Sequence, residues 1–493
     1  MELLVPGRLI GGQAKPGEEL TPAGHHFLEN RLQSAIPEPK SPRNSENAPH
    51  RHHVYSPAFW WHEFIPRQVQ NMQKTPVIIV GAGLAGLCCA RELQRRQIPW
   101  RLLEAKDRIG GRVQTDNVDG FTIDHGFQVL QTAYPEARRE LNYQQLRLRP
   151  FSPGALIRTE GRFVEMADPW RRPGKLFSVL FNGVGTFGDR LRLAWLRASL
   201  CGRLPERVWQ LDGADCSTAD YLRKSLGFSE DIIRRFFRPW FAGVFLEPDL
   251  ATSCRMFRFL FGTFASGDAA LPADGMESIP RQLAEFLPAE NIRLNCRVQS
   301  VSRQAVTLET GETLPASAVV LAVEGPAARK LTGDRLQTSD VCSTTCFNFA
   351  ADAAPFPEPL LVLNGDESGP INNLSVISNI APETAPRGKA LISVSLIGDF
   401  GDRVSEMEGA VRAQLHDWYG PQTATWRLLK THIIRTALPR QLPGFGGHPD
   451  GGRSTFDGLH LCGDFVSTGS IHSAMLSGRL TAGRVAESLH GGR

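Results

Sequence analysis

Three glycines, Gly81, Gly83 and Gly86, stand in the spacing GxGxxG between a β-branched run, "PVIIV", and a stretch of helical period, "LCCARELQRRQ". In that context the first glycine permits a tight turn and the second lets a pyrophosphate come against bare backbone. The third lets helix and strand pack closely. Ala82, Leu84 and Ala85 complete the turn, and the free N–H groups at the helix start face the phosphates. Glu104 follows 23 residues after Gly81, closing a second strand read in "PWRLLEA". A carboxylate there accepts both ribose hydroxyls and disfavours a 2′-phosphate. The chemistry is that of a dinucleotide site, and FAD and NAD share it up to this point.

The elements that must hold these residues are a strand, a glycine turn, a helix and a parallel strand, joined by a right-handed crossover. Residues 291–323 return to strands, in "IRLNCRVQSV", "AVTLET" and "ASAVVLAV", broken at Thr310-Gly311. Residues 340–435 read as β-rich with one amphipathic helix near 404–418, and 458–489 as strand, Gly-Asp turn and helix. Between them, 151–262 is rich in Arg, Phe and Trp and reads as mostly helical. It carries 17 Lys and Arg against 12 Asp and Glu, which accounts for the excess of a chain whose net charge is +4. That balance excludes a protein whose main task is neutralising nucleic-acid phosphates. With 493 residues, the chain exceeds the ~150 to 200 residues of one domain. No run reaches the ~18 apolar residues of a membrane-spanning helix. The nine cysteines are scattered without a CxxC pair, which fits a reducing, cytoplasmic setting. Cys342 and Cys346 have no nearby His to complete a zinc set and read as packing residues; no metal is expected. Residues 1–71 hold six of the thirteen histidines without a hydrophobic period and read as a mobile extension.

The segment "EAKDRIGGRV" continues the fingerprint, and the whole of "VIIVGAGLAGLCCARELQRRQIPWRLLEAKDRIGGRV" resembles the superfamily of FAD-dependent amine oxidases and carotenoid desaturases. The resemblance implies FAD as cofactor, with Glu104 on the ribose, Ala105 and Lys106 also among the cofactor-binding residues, and Gly110, Gly111 and Arg112 against the pyrophosphate. "GFTIDHGFQVLQTAYPEARREL" is similar to the desaturase loop that passes the flavin ring, placing Gly126 and Phe127 there. "LPADGMESIPRQLAEFL" resembles a Gly-Met stretch leading a helix, and Val298 matches a position whose backbone meets adenine. "LHLCGDFVSTGSIHSAMLSGRLTAGRVAESL" resembles the closing motif, with Gly463 and Asp464 beside the ribityl chain or phosphate and Ile471 and Ala474 at the isoalloxazine. The implied fold is α/β. A Rossmann-like FAD-binding domain of the GR2 type is assembled from 72–150, 263–335 and 441–493; an α+β substrate domain is made of a helical cap, 151–262, and a β-rich part, 336–440.

Within that superfamily, amine oxidases place a Tyr before the closing motif and some a flavin-linking Cys; here Ser470 and Ser467-Thr468-Gly469 stand there, so FAD is expected to be held without a covalent bond. Gly463-Asp464 and "GSIHSAMLSG" resemble the desaturase branch, whereas Gln128 and His472-Ser473 depart from it. The leading expectation is hydride transfer from a largely apolar, isoprenoid-like small substrate to the flavin, with oxygen or a quinone as electron acceptor. Amine or porphyrinogen oxidation, and a redox-silent isomerase or binding module, are the alternatives. The flavin-facing positions put His125, Gln128 and His472 forward for proton removal or substrate orientation. In "DIIRRFFRPWF" and "CRMFRFLFGTF", apolar residues share one helical face and arginines another. Such segments suit a peripheral membrane surface or the core of a helical cap.

Overall fold

The protein's structure is a computed structural model describing residues 75–177, 182–203, 205–209, 214–445 and 454–491. The first strand, Val77–Val80, is apolar at every position and buried on both faces, the pattern of a central parallel strand. It pairs in parallel with Trp100–Leu103 on one side and Ala318–Leu321 on the other. Six strands make this sheet, in the order Ile292–Arg293, Trp100–Leu103, Val77–Val80, Ala318–Leu321, Leu459–Leu461, Thr455–Phe456. All pairs are parallel except the last. Three distant stretches of chain therefore build one layer.

The helix after the glycine turn, Leu84–Arg95, packs along the C-terminal helix, Ile471–Gly491. Glycine permits this closeness. A Cβ at Gly478 would lie 2.0 Å from the Ala85 carbonyl oxygen; one at Gly86 would lie 2.0 Å from that of Gly81, where the first helix folds back on its own strand and turn.

A second, seven-stranded sheet runs Arg427–Pro439, Val341–Ala351, Ala390–Ile397, Asn373–Val376, Leu361–Asn364, Gly154–Thr159, Arg162–Ala167. The last two strands lie within the stretch read as mostly helical. Their hairpin closes through Glu160 (φ 52°) and Gly161 (φ 73°), both left-handed. Such two-residue turns favour Asn-Gly or Asp-Gly, and Glu-Gly gives a weak signal. Gly154–Thr159 then joins Leu361–Asn364 in parallel, so residues on either side of the cap share one sheet.

The two basic amphipathic stripes are core. Ile232, Ile233, Phe236 and Phe237 are buried, as are Phe257, Leu260 and Phe261. Phe241 lies 4.7 Å from Phe257, centroid to centroid. Arg258, assigned by helical period to the solvent face, is itself buried with its guanidinium 5.6 Å over the Tyr221 ring. Of the two readings of residues 230–264, burial supports the core of the cap, since the apolar faces are already covered by protein. Among the described residues no helix is long and apolar enough to cross a membrane. Cys342 and Cys346 are both buried on Val341–Ala351, and the histidine-rich run before residue 72 lies outside the described residues.

Candidate active site

A cavity of about 740 Å³ runs from the glycine turn into the cap. At one end its wall holds Gly81, Gly83, Leu84 and Ala85, then Glu104, Ala105 and Lys106 from the end of the second strand. Gly81 has φ 105°, and a Cβ there would sit 2.6 Å from the Ala322 carbonyl oxygen. At Gly83 a Cβ would meet nothing nearer than Gly111 Cα at 4.0 Å, which leaves an open cradle over bare backbone. The following helix carries no acidic residue in its first turn, so its positive end faces that cradle uncompensated. The buried Glu104 carboxylate accepts from the Ala82 N–H at 2.8 Å and the Lys106 N–H at 2.9 Å, one on each oxygen. Each oxygen retains acceptor capacity toward the cavity. This donor and acceptor set fits a dinucleotide.

Ala82 and Gly86 lie behind the wall, where the first binds Glu104 and the second abuts Gly81. Val298 also lies outside it; its neighbour Arg297 lines the cavity instead. Gly110, Gly111 and Arg112 are in the wall, as are Gly126 and Phe127, and Gly463, Asp464, Ile471 and Ala474. Arg112 is not a free counter-charge. Its guanidinium donates to Asp464 at 2.6 Å and to the Ala437 carbonyl, tying the first and last segments of the FAD motifs together.

The far end is apolar, with Phe127, Phe151 and Met166 facing Trp240, Phe261 and Phe264. Trp240 lies 5.1 Å from Phe264 and 6.0 Å from Phe261. The carboxylate there, Asp168, is engaged by Arg197 at 2.9 Å and by the Trp170 N–H at 3.0 Å. Gln131 stands out: it is 2% exposed, lines the cavity, and neither end of its amide has a hydrogen-bond partner. The sequence offered no sign of it beyond a glutamine in a short apolar strand.

Of the three residues put forward for proton chemistry, His125 and Gln128 line the cavity and His472 does not. Gln128 Nε2 donates to the backbone carbonyls of Arg112 (3.0 Å) and His125 (2.9 Å), bracing the loop. His125 Nε2 lies 2.8 Å from Asp116 Oδ2, and its ring faces His432 at 4.4 Å. Burial opposes ionisation of Asp116, yet hydrogen bonds from Arg108 and His125 hold its carboxyl at about 2. His432 is pulled down to about 4 by burial and by His125. Asp116, His125 and His432 are the one cluster with metal-ligand geometry among the described residues, but Arg108 reaches both Asp116 (2.9 Å) and His125 (3.4 Å) and supplies the cation there. His472 is packed between Tyr134 and Phe259, and its Nδ1 accepts from the Glu136 N–H at 3.3 Å. Burial lowers its pKa to about 4, so it is a neutral packing residue behind the site. That corrects its placement among the flavin-facing groups.

A family model described as flavin containing amine oxidoreductase matches residues 84–486. The chain belongs to that family. As a member of the flavin containing amine oxidoreductases it is an FAD-dependent oxidoreductase. It is 26% identical over 388 residues to a coproporphyrinogen III oxidase of Propionibacterium freudenreichii subsp. freudenreichii, covering 64% of this chain and 72% of that protein. A coproporphyrinogen III oxidase of Bacillus subtilis (strain 168) is 20% identical over 381 residues, covering 67% and 78%. Polyamine oxidase 2 of Arabidopsis thaliana is 48% identical, but over 50 residues, a tenth of each chain. Cyclohexylamine oxidase from Brevibacterium oxydans IH-35A superposes with a TM-score of 0.60 at 18% identity, covering 84% of this chain and 99% of that one, a likeness of fold. These relatives are oxidases of porphyrinogens and amines; the desaturase branch suggested by the closing motif does not figure among them.

Proposed function

We propose that this protein is an FAD-dependent oxidase of a bulky, largely apolar ring compound of the porphyrinogen kind. The observation that carries the reading is the cavity wall beyond the cradle, which holds aromatic side chains, one unpartnered amide, Gln131, and a carboxylate, Asp168, already engaged by Arg197. An alkylammonium ion would find neither a free carboxylate nor a Tyr before the closing motif, where Ser470 stands. The long match to coproporphyrinogen III oxidases supports the same class. A second reading, an isoprenoid-like hydrocarbon, is favoured by the scarcity of hydrogen-bonding groups in that wall.

FAD, when bound, would accept a hydride from substrate and pass the two electrons on to an acceptor such as oxygen. The chain's own residues do the rest. Glu104 holds the ribose, the turn from Gly81 to Gly86 and the helix behind it hold the pyrophosphate, and Gly463, Asp464, Ile471 and Ala474 flank the flavin end, with no cysteine placed to link it. Gln131 orients a polar edge of the substrate. Asp116 and Arg108 hold the His125 ring in place at the cavity wall, and the imidazole takes the proton that substrate gives up. The test is anaerobic addition of coproporphyrinogen, a polyene precursor and polyamines in turn, watching flavin absorbance. Bleaching by the tetrapyrrole is expected; bleaching by the polyamines alone would reject the reading.

A further inference from the structure

Among the described residues nine large apolar side chains are exposed, and six of them, Trp170, Leu176, Phe177, Phe187, Leu191 and Trp195, lie within 26 residues of one another. Three share the helix Phe187–Leu200 at intervals of four, which places them on one face. They are 66%, 59% and 62% exposed. The opposite face is separately satisfied, since Leu196 and Leu200 are buried in the core. The helix does not need its outer face covered to fold. It is fixed by the Thr186 capping box with Asp189, whose carboxylate also accepts from Ser229.

Two further observations say what covers that face. The first is charge. Residues 170–203 contain seven Lys and Arg and one Asp. Glu165 pairs with Arg172 and Lys175, Asp168 with Arg197, Asp268 with Arg171 and Asp189 with Arg192, so four carboxylates stand against the seven cations. A positive excess therefore borders the aromatic side chains. The second is continuity with the cavity. Leu193 and Arg197 of the same helix line it, and so does Trp170, which is half exposed and lies 5.0 Å from the Arg197 guanidinium. The wall that receives substrate runs out into the apolar face.

We propose that the face of Phe187, Leu191 and Trp195, with Trp170 beside it, seats the protein on the surface of an anionic lipid bilayer, where the cavity draws its apolar substrate from the lipid phase. Aromatic and aliphatic side chains enter the boundary between headgroups and acyl chains while the arginines remain among the phosphates. An interface with a second copy would place the same excess of arginines against itself. Seating requires only that the substrate be apolar, and it is read without turnover, so it fails or stands independently of the porphyrinogen reading.

The experiment is flotation of the full-length holoenzyme with phosphatidylcholine vesicles, with and without phosphatidylserine, at low salt. Parent protein is expected to float with the anionic vesicles. The triple variant Phe187→Ser, Leu191→Gln, Trp195→Ser should partition at least about tenfold more weakly, with melting temperature and flavin spectrum unchanged. Arg190→Gln with Arg192→Gln should weaken binding to anionic vesicles and leave neutral ones alone. Parent that stays at the bottom of the gradient, or a triple variant that floats as well as parent, overturns the proposal. So does light scattering that shows a parent dimer made monomeric by the same substitutions, with no effect on lipid, because the face then belongs to a second copy.

Discussion

Gln131 combines two properties that pull in opposite directions: it is almost wholly buried, and its amide is unpaired. An unmet buried polar group costs about 1 to 3 kcal/mol. Gln131→Leu is therefore expected to hold or raise the melting temperature while lowering kcat/KM for the substrate, and a loss of both would mark the amide as structural. Glu104 is the reverse case, already bonded on both oxygens. Glu104→Ala should weaken FAD binding measurably by fluorescence titration, each lost charge-assisted hydrogen bond contributing roughly 1.5 to 3 kcal/mol. Glu104 was legible because its spacing from Gly81 is set by one crossover. His472 was not, because a motif position gives no sign of which side of a helix meets the cavity. Its folded pKa near 4 lies below the ordinary 6.5, so its stabilising effect is full above pH 6.5 and is lost as pH falls toward 4. Complete loss amounts to roughly 3 kcal/mol. His472→Gln should flatten the fall of the urea midpoint between pH 7 and 4.5 without removing it, since His432 titrates in the same direction.

At the scale of elements, the glycine-turn helix and the C-terminal helix meet closely because Gly478 lacks a side chain. Gly478→Val would drive its Cβ into the Ala85 carbonyl. We expect it to separate the C-terminal helix from the glycine-turn helix, lower the melting temperature, and weaken FAD binding by moving Ile471 and Ala474; calorimetry with and without added FAD checks both. Strands with uniform β-branched burial, such as Val77–Val80, could be read directly from residue type. The hairpin Gly154–Thr159 and Arg162–Ala167 could not, because its turn lacks the usual Asn or Asp and its partner strand lies some 200 residues on. The stripes at 230–264 showed a true helical period, but period alone cannot tell whether protein or lipid covers an apolar face. Buried aromatic neighbours from elsewhere in the cap decided it.

Across the whole molecule, the cavity wall takes residues from 81–112, 322–324 and 463–474, so the cradle proposed for FAD is complete only when these distant stretches have come together. The first strand and Leu459–Leu461 belong to one sheet although about 380 residues separate them. During synthesis at ~5 to 20 residues per second, the glycine turn leaves the ribosome roughly 20 to 80 seconds before the strand and helix that close its far side. Until then the nascent chain carries a parallel sheet lacking a neighbour and half of a flavin site. Capture of the cofactor thus belongs after release, and the interval before it is when chaperones have the most exposed sheet to shield. Nascent chains arrested with residue 455 just outside the exit tunnel should retain no flavin through gel filtration, whereas released chains should.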